Sequence, residues 1–271
     1  MSLSFEKINK TSELIAFKFK RDDVEPVYIS EDDFEVDFSS GTKEQGTEKQ
    51  LKIIKSADNE TRFFPAVAKF DKKTGSINSR IYICGKSGVG KTYYFIRPYI
   101  QEFKRIYPKA KIYFYSSKLE DPAVDDLDII RVTVDEEFIK NPPDIRKYKG
   151  FPNLVVMDDI QDYKIKSHNI AVQRLRDELM RNSRSIGCAL LYLWHQPNDF
   201  RATKDMIFEA TAICIFPKTS GHSDYSLLMD KYLGIQDVKK RNILKKAKSE
   251  FVYITKKNPA YAITDNYIMI L

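Results

Sequence analysis

The octapeptide Gly85-Lys86-Ser87-Gly88-Val89-Gly90-Lys91-Thr92 constrains this chain more than any other segment. It matches the pattern G-x4-G-K-[ST] in full, with the apolar run Ile81-Tyr82-Ile83-Cys84 before it and a helix-like segment after it. That context is what the pattern needs, because a strand must deliver a glycine turn to a helix N-terminus for the loop's N–H groups to converge on phosphate. Glycine lets the backbone turn tightly and aim those donors at the α- and β-phosphates. On this reading Lys91 reaches the β- and γ-phosphates and the Thr92 hydroxyl ligates Mg²⁺. The motif implies a bound nucleoside triphosphate.

A chain of 271 residues with 42% hydrophobic content has room for one large α/β domain and a small appendage. No apolar stretch reaches the ~18 residues of a membrane span, and Met1-Ser2-Leu3-Ser4-Phe5-Glu6 has no signal-peptide profile, so a soluble, intracellular protein is expected. Cys84, Cys188 and Cys214 each fall in an apolar run and read as buried reduced thiols. Without a C-x-x-C pair, and with the three histidines scattered, no zinc or redox site is expected. The net charge of +7 is unevenly placed. Residues 1–60 hold 9 Lys/Arg against 14 Asp/Glu, whereas the rest holds 36 against 24. A basic body suits a polyanionic partner such as DNA, although many basic surfaces serve only solubility.

Two parts are expected: a small β-rich N-terminal element over 1–75 and a nucleotide-binding core over 76–271. In the first, short apolar runs at 14–17, 27–29 and 34–38 alternate with polar turns, and 39–49 reads as a loop. In the second, strands at 80–84, 111–116, 129–134, 153–158, 188–195 and 210–216 alternate with helices at 91–106, 164–184 and 223–232. This is the pattern of an α/β sheet covered on both faces. Ile170, Leu175 and Leu179 mark the apolar face of the second helix. A basic helix at 236–248 and strands at 251–255 and 261–264 complete the chain.

The run Leu154-Val155-Val156-Met157-Asp158-Asp159 reads as a buried strand ending in two carboxylates at its C-terminal edge, where ligands bind in open α/β sheets. Asp158 is placed to hold Mg²⁺ through its water shell, and Asp159 to orient or deprotonate an attacking water. Farther on, Cys188 to Trp194 forms another apolar run ending at His195-Gln196-Pro197. Gln196 is the candidate sensor of the γ-phosphate or lytic water, with His195 its rival. Arg184, with Arg181 as the alternate, is the candidate cation for a leaving phosphate, since a guanidinium fork spreads charge over a rigid plane. Lys239, Lys240, Arg241, Lys245, Lys246 and Lys248 form a basic run suited to DNA phosphates or simply to water.

Together GKSGVGKT, LVVMDD and RNSRSIGCALLYLWHQPNDF resemble the FtsK/HerA superfamily of ring-forming DNA-pumping ATPases. Within it they look most like the genome-packaging ATPases of large double-stranded DNA viruses and virophages. The match covers roughly residues 78–220. Arg184 stands three residues before Gly187, as in that family, while His195 takes the place of a small hydroxyl residue and Asp159 that of the glutamate of cellular members. The resemblance implies a RecA-like (ASCE) P-loop core that uses ATP and Mg²⁺. It further implies a pentameric or hexameric homo-oligomeric ring in which a neighbour's arginine completes each site. The implied partners are double-stranded DNA, bound without sequence preference, and capsid proteins. The implied location is the host cytoplasm at viral assembly sites, or the virion.

Other classes fit less well. Neither the Asn-Lys-x-Asp nor the Asp-x-x-Gly element of a GTPase follows residue 92, and the basic segment 239–248 lies too near the C-terminus for a kinase lid. An AAA- or helicase-like remodelling ATPase, or a nucleotide-gated scaffold with little hydrolysis, stays open as the alternative.

Overall fold

The computed structural model describes residues 1–20, 23–30, 53–56, 58, 60–150, 152–195, 203–217 and 222–271. The expected strand at 34–38, the loop at 39–49 and Gln196 lie outside the described residues. The chain groups into two compact units, Met1–Ala66 with Pro259–Leu271, and Val67–Asn258.

The first unit begins with β1 (Ser2–Ser4), β2 (Glu13–Lys20), β3 (Asp23–Ser30), β4 (Ile53–Lys55) and β5 (Arg62–Pro65). β1, β3, β2 and β5 form an antiparallel sheet in that order. In β2 the register shifts between Leu14 and Ala16, and Ile15, Ala16 and Phe17 are all buried. A bulge of this kind re-aims side chains, so strict alternation is lost there.

The second unit carries β6 (Phe70–Asp71), β7 (Ser76–Ile77), β8 (Arg80–Cys84), a π-helical turn (Thr92–Ile96) running into α1 (Arg97–Ile106), β9 (Ile112–Ser116) and β10 (Ile130–Val132). Next come α2 (Glu136–Lys140), β11 (Asn153–Asp158), α3 (Lys166–Asn182), β12 (Cys188–Trp194), α4 (Lys204–Glu209) and β13 (Ala212–Ile215). It closes with α5 (His222–Leu227), α6 (Val238–Lys245) and β14 (Val252–Thr255). Two last strands, β15 (Tyr261–Thr264) and β16 (Tyr267–Ile270), return to the first unit. There Ile268 pairs with Ile54, and the Phe63 N–H donates to the Asp265 carbonyl at 3.0 Å. These bonds place 259–271 beside the N-terminal strands, whereas the sequence groups that segment with the core.

The sheet of the second unit runs β10-β9-β11-β12-β8-β13-β14. The first six strands are parallel and β14 is antiparallel to β13. This is the RecA-like P-loop arrangement expected from the sequence, with one strand inserted between the strand bearing the glycine loop and the strand bearing the acids. Every residue of β11, β12 and β13 is buried. Parallel strands covered on both faces bury both sets of side chains, so their sequences read as continuous apolar runs.

On α3 the buried positions are Val172, Leu175, Arg176, Leu179 and Met180, a stripe at helical spacing. Ile170, expected on this face, is 42% exposed instead. Arg176 is tolerated inside because its guanidinium lies 5.7 Å over the Tyr192 ring and 2.6 Å from an Asp177 oxygen. All three cysteines are free and buried, and burial pushes the Cys188 thiol up to about 12.

Gly187, at the turn into β12, has φ +70°, and a Cβ there would stand 2.7 Å from the Gly75 carbonyl oxygen and 2.9 Å from the Phe70 ring. Gly187→Ala is therefore expected to lower unfolding free energy by about 2 kcal/mol or more in chemical denaturation, since strain and overlap act together. A loss under ~0.5 kcal/mol, the size of a neutral surface change, would contradict that close approach.

Candidate active site

Parallel pairing brings the C-terminal ends of three strands to one edge. Cys84 of β8 lies opposite Trp194 of β12, and Met157 of β11 opposite Tyr192. The glycine loop leaves β8 at this edge, and Asp158 and Asp159 stand at the end of β11. The loop needs its glycines: Gly88 and Gly90 have φ of +77° and +87°, and a Cβ on Gly85 would meet the Phe216 side chain at 2.8 Å. A cleft of about 230 Å³ is lined by Ser87, Lys91, Thr92, Lys118, Asp158 and Asp159, among others. A larger groove of about 590 Å³, beside Pro142-Pro143 and α3, contains none of the motif residues.

Lys91 is only 6% exposed. Its Nζ donates to the Gly85 carbonyl at 2.7 Å and the Lys86 carbonyl at 3.1 Å, and lies 3.5 Å from His195 Nδ1. Burial lowers its pKa, opposed by the charges of Asp159 and Asp158. The ammonium is thus folded back on the loop's own carbonyls, held by the neutral acceptors that an incoming phosphate would outcompete.

Asp158 is 1% exposed, and its Oδ2 has no hydrogen-bond partner among the described residues. Burial first, and the adjacent Asp159 charge second, push its carboxyl up to about 7. Asp159 is the only non-glycine with positive φ among the described residues, at φ 50° and ψ 34°. Such a conformation costs an L-residue roughly 1–2 kcal/mol, and aspartate tolerates it better than most. Its Oδ2 lies 3.0 Å from Lys118 Nζ and its Oδ1 3.0 Å from His195 Nε2. Lys118 is desolvated, which works against its charge, but the hydrogen bond and charge of Asp159 outweigh this and raise its pKa.

The residues fit Mg²⁺ on one observation, the buried and unpartnered Oδ2 of Asp158 in the same cleft as Thr92. No group of three or more His, Cys, Asp or Glu gathers as a cation site among the described residues. One carboxylate and a hydroxyl match a cation that keeps most of its water and takes the rest of its ligands from phosphate. The raised Asp158 carboxyl has a stability consequence. The folded chain holds that proton above its ordinary 3.8, so the stabilisation is complete below about pH 3.8 and is lost as pH rises toward about 7. In metal-free buffer the Tm is expected to fall over that window, and Asp158→Asn to flatten the fall. An unchanged slope in the variant would contradict a proton at Asp158.

The structure brings Lys91, Thr92, Asp158, Asp159 and His195 together. It does not bring Arg184, which is exposed in the turn between α3 and β12 at the opposite, N-terminal edge of the sheet. Arg184 acts there on the charge of Arg80, the first residue of β8. Arg181, also exposed, ends the same helix. Lys118 is the site residue that the sequence reading missed. Its only signal is a lysine two residues beyond the end of β9, on a strand next to the acidic one. On α6, Asp237 accepts from the Lys239 and Lys240 N–H groups, and Lys239, Lys246 and Lys248 are exposed.

A glycine loop delivered by β8 to a helical turn, one strand removed from a buried acid pair, defines a P-loop nucleotide-binding protein of the RecA-like class. No protein-family model matches the chain. It is similar to the uncharacterized protein V3 of Sputnik virophage, with 28% identity over 188 residues, 69% of this chain and 74% of that protein. Among solved structures it is similar to the genome packaging NTPase B204 of Sulfolobus turreted icosahedral virus 2 in complex with AMPPCP. That similarity has TM-score 0.45 and 14% identity, covering 69% of this chain and 98% of that one. It is also similar to the pCW3 conjugation coupling protein TcpA with ATPγS, at TM-score 0.47 and 15% identity, covering 79% and 77%. A viral genome-packaging NTPase, the class that the sequence resembles, is thus among the similar structures. No helix among the described residues is long and apolar enough to cross a membrane.

Proposed function

We propose that this chain is a Mg²⁺-dependent ATPase that drives double-stranded DNA, as the motor of viral genome packaging, and that it works as a ring. The observation that carries this reading is the convergence of Lys91, Asp158 and Asp159 on one cleft at the carboxyl edge of the sheet. Lys91 and the loop N–H groups hold the phosphates, and Thr92 and Asp158 hold the cation. Mg²⁺, when bound, neutralises phosphate charge. Asp159 orients the attacking water and accepts its proton. No arginine lines the described part of this cleft, and Arg184 stands exposed at the other edge. A neighbouring copy is therefore the proposed donor of that arginine. The similarity to B204, a genome packaging NTPase, supports the packaging role, as do the exposed lysines near α6.

A second reading, a nucleotide-gated scaffold with little hydrolysis, draws on the pairing of Asp159 Oδ2 with Lys118. Steady-state ATP hydrolysis across protein concentration, with and without double-stranded DNA, separates the two. A rate that climbs more steeply than protein concentration and responds to DNA supports the motor. A low rate, linear in protein and indifferent to DNA, favours the scaffold.

A further inference from the structure

We propose that Lys118 reads the third phosphate of the nucleotide, exchanging its bond to Asp159 for one to the γ-phosphate and so freeing Asp159 to take the attacking water. This rests on the nucleotide-binding reading above. Asp159 Oδ2 is paired with Lys118 at 3.0 Å, and withdrawal of that cation leaves the carboxylate a stronger acceptor for an attacking water. Of the partners in this cluster Lys118 is the easiest to move. Its side chain is 50% exposed, whereas that of Asp159 is 5% exposed and its backbone is fixed in a left-handed turn.

The Lys118 backbone, by contrast, is held. Its N–H donates to Ser116 Oγ at 3.2 Å, and its carbonyl accepts from Arg131 Nη1 at 3.0 Å. Arg131 is itself paired with Asp125. A fixed backbone carrying a flexible four-carbon stem lets the ammonium swing without any change in the sheet. Lys118 also lines the same cleft as Lys91, close enough to act on its charge. The cleft of the described residues thus holds two ammonium groups and two adjacent carboxylates. A triphosphate entering it brings charge that the carboxylates repel, and a partly exposed cation bridging the two anions relieves that repulsion. A diphosphate does not extend as far along the loop and leaves Lys118 on Asp159. The exchange therefore discriminates ATP from ADP, which Lys91, folded against Gly85 and Lys86, does not do alone.

The test is calorimetric titration of ATPγS and ADP, each with Mg²⁺, into the wild type, Lys118→Met, Lys118→Arg and Asp159→Asn, with melting curves to confirm folding. Lys118→Met is expected to weaken ATPγS binding about 10- to 100-fold, the size of a lost charge-assisted bond, and to leave ADP within about 3-fold. Lys118→Arg restores most of the difference. Asp159→Asn, which removes the competing acceptor, tightens ATPγS more with Lys118 present than in the Lys118→Met background. In turnover, Lys118→Met raises KM for ATP more than it lowers kcat. An equal loss for both nucleotides, or none, overturns the proposal while leaving the nucleotide site intact. Absence of any nucleotide binding by the folded wild type overturns the site reading and this proposal together.

Discussion

Arg184→Ala lowers DNA-stimulated ATP turnover by about 10³-fold or more while leaving nucleotide affinity within a few-fold, the scale of an arginine supplied in trans. The geometry behind this expectation is the separation of the two ends of β12. Arg184 precedes the strand and the acid pair lies level with its last residues, since Met157 pairs with Tyr192, so the five steps from Cys188 to Leu193 at 3.3 Å each put about 17 Å of strand between them. A guanidinium does not span that distance, so an effect of this size has to come from another copy. Mixing Arg184→Ala with Asp159→Asn checks it. Each is dead alone, and a mixture recovers part of the wild-type rate because some interfaces pair an intact acid site with an intact arginine. Arg181→Ala, on the same helix end, is the comparison. No recovery on mixing, or full activity of Arg184→Ala, would overturn the trans arrangement.

Lys91→Met is expected to abolish detectable turnover, with a loss of at least ~10²–10³-fold, the typical cost of removing a preorganised electrostatic contact. It also has a signature in stability. In the empty protein this ammonium is buried against two backbone carbonyls and its pKa is lowered by that burial. Exchanging it for an apolar side chain of similar length removes a desolvated charge, so the variant melts at or above the wild type without ligand. With Mg²⁺ and ATPγS at 100 times the wild-type Kd, the wild type gains about 2.7 kcal/mol and the variant gains none. A variant that still gains this stabilisation would place the phosphates elsewhere.

The parts of this architecture that announce themselves in the sequence are those with one dominant physical demand. β11 and β12 are buried on both faces, so their apolar runs mark strand limits to within a residue. The glycine loop is equally visible because its backbone excludes side chains at Gly85 and Gly90. What stayed hidden depends on pairing across the sheet. Nothing near Lys118 in sequence signals Asp159, which lies 41 positions away and meets it only because β9 and β11 are neighbours. The sequence puts Gln196 first and His195 as its rival; His195 lies beside Asp159 and Lys91, and Gln196 is outside the described residues. Ile170 fitted the helical stripe by spacing, but burial is decided by what packs opposite, and there it faces an open groove. The C-terminal strands follow the core in sequence, and only the pairing of β16 with β4 shows that the last of them runs beside an N-terminal strand.

The place of β12 has a mechanical consequence. It is hydrogen-bonded along both sides and buried throughout, so it is a strut rather than a spring. One end carries the turn with Arg184 and the other carries His195, 3.5 Å from Lys91 and 3.0 Å from Asp159. In the proposed ring, the arginine proposed to meet a neighbour's phosphate and the histidine beside the chain's own site are two ends of one rod. Firing in one subunit would then reach the next as a push along a strand, which gives the ring an intrinsic order of turns.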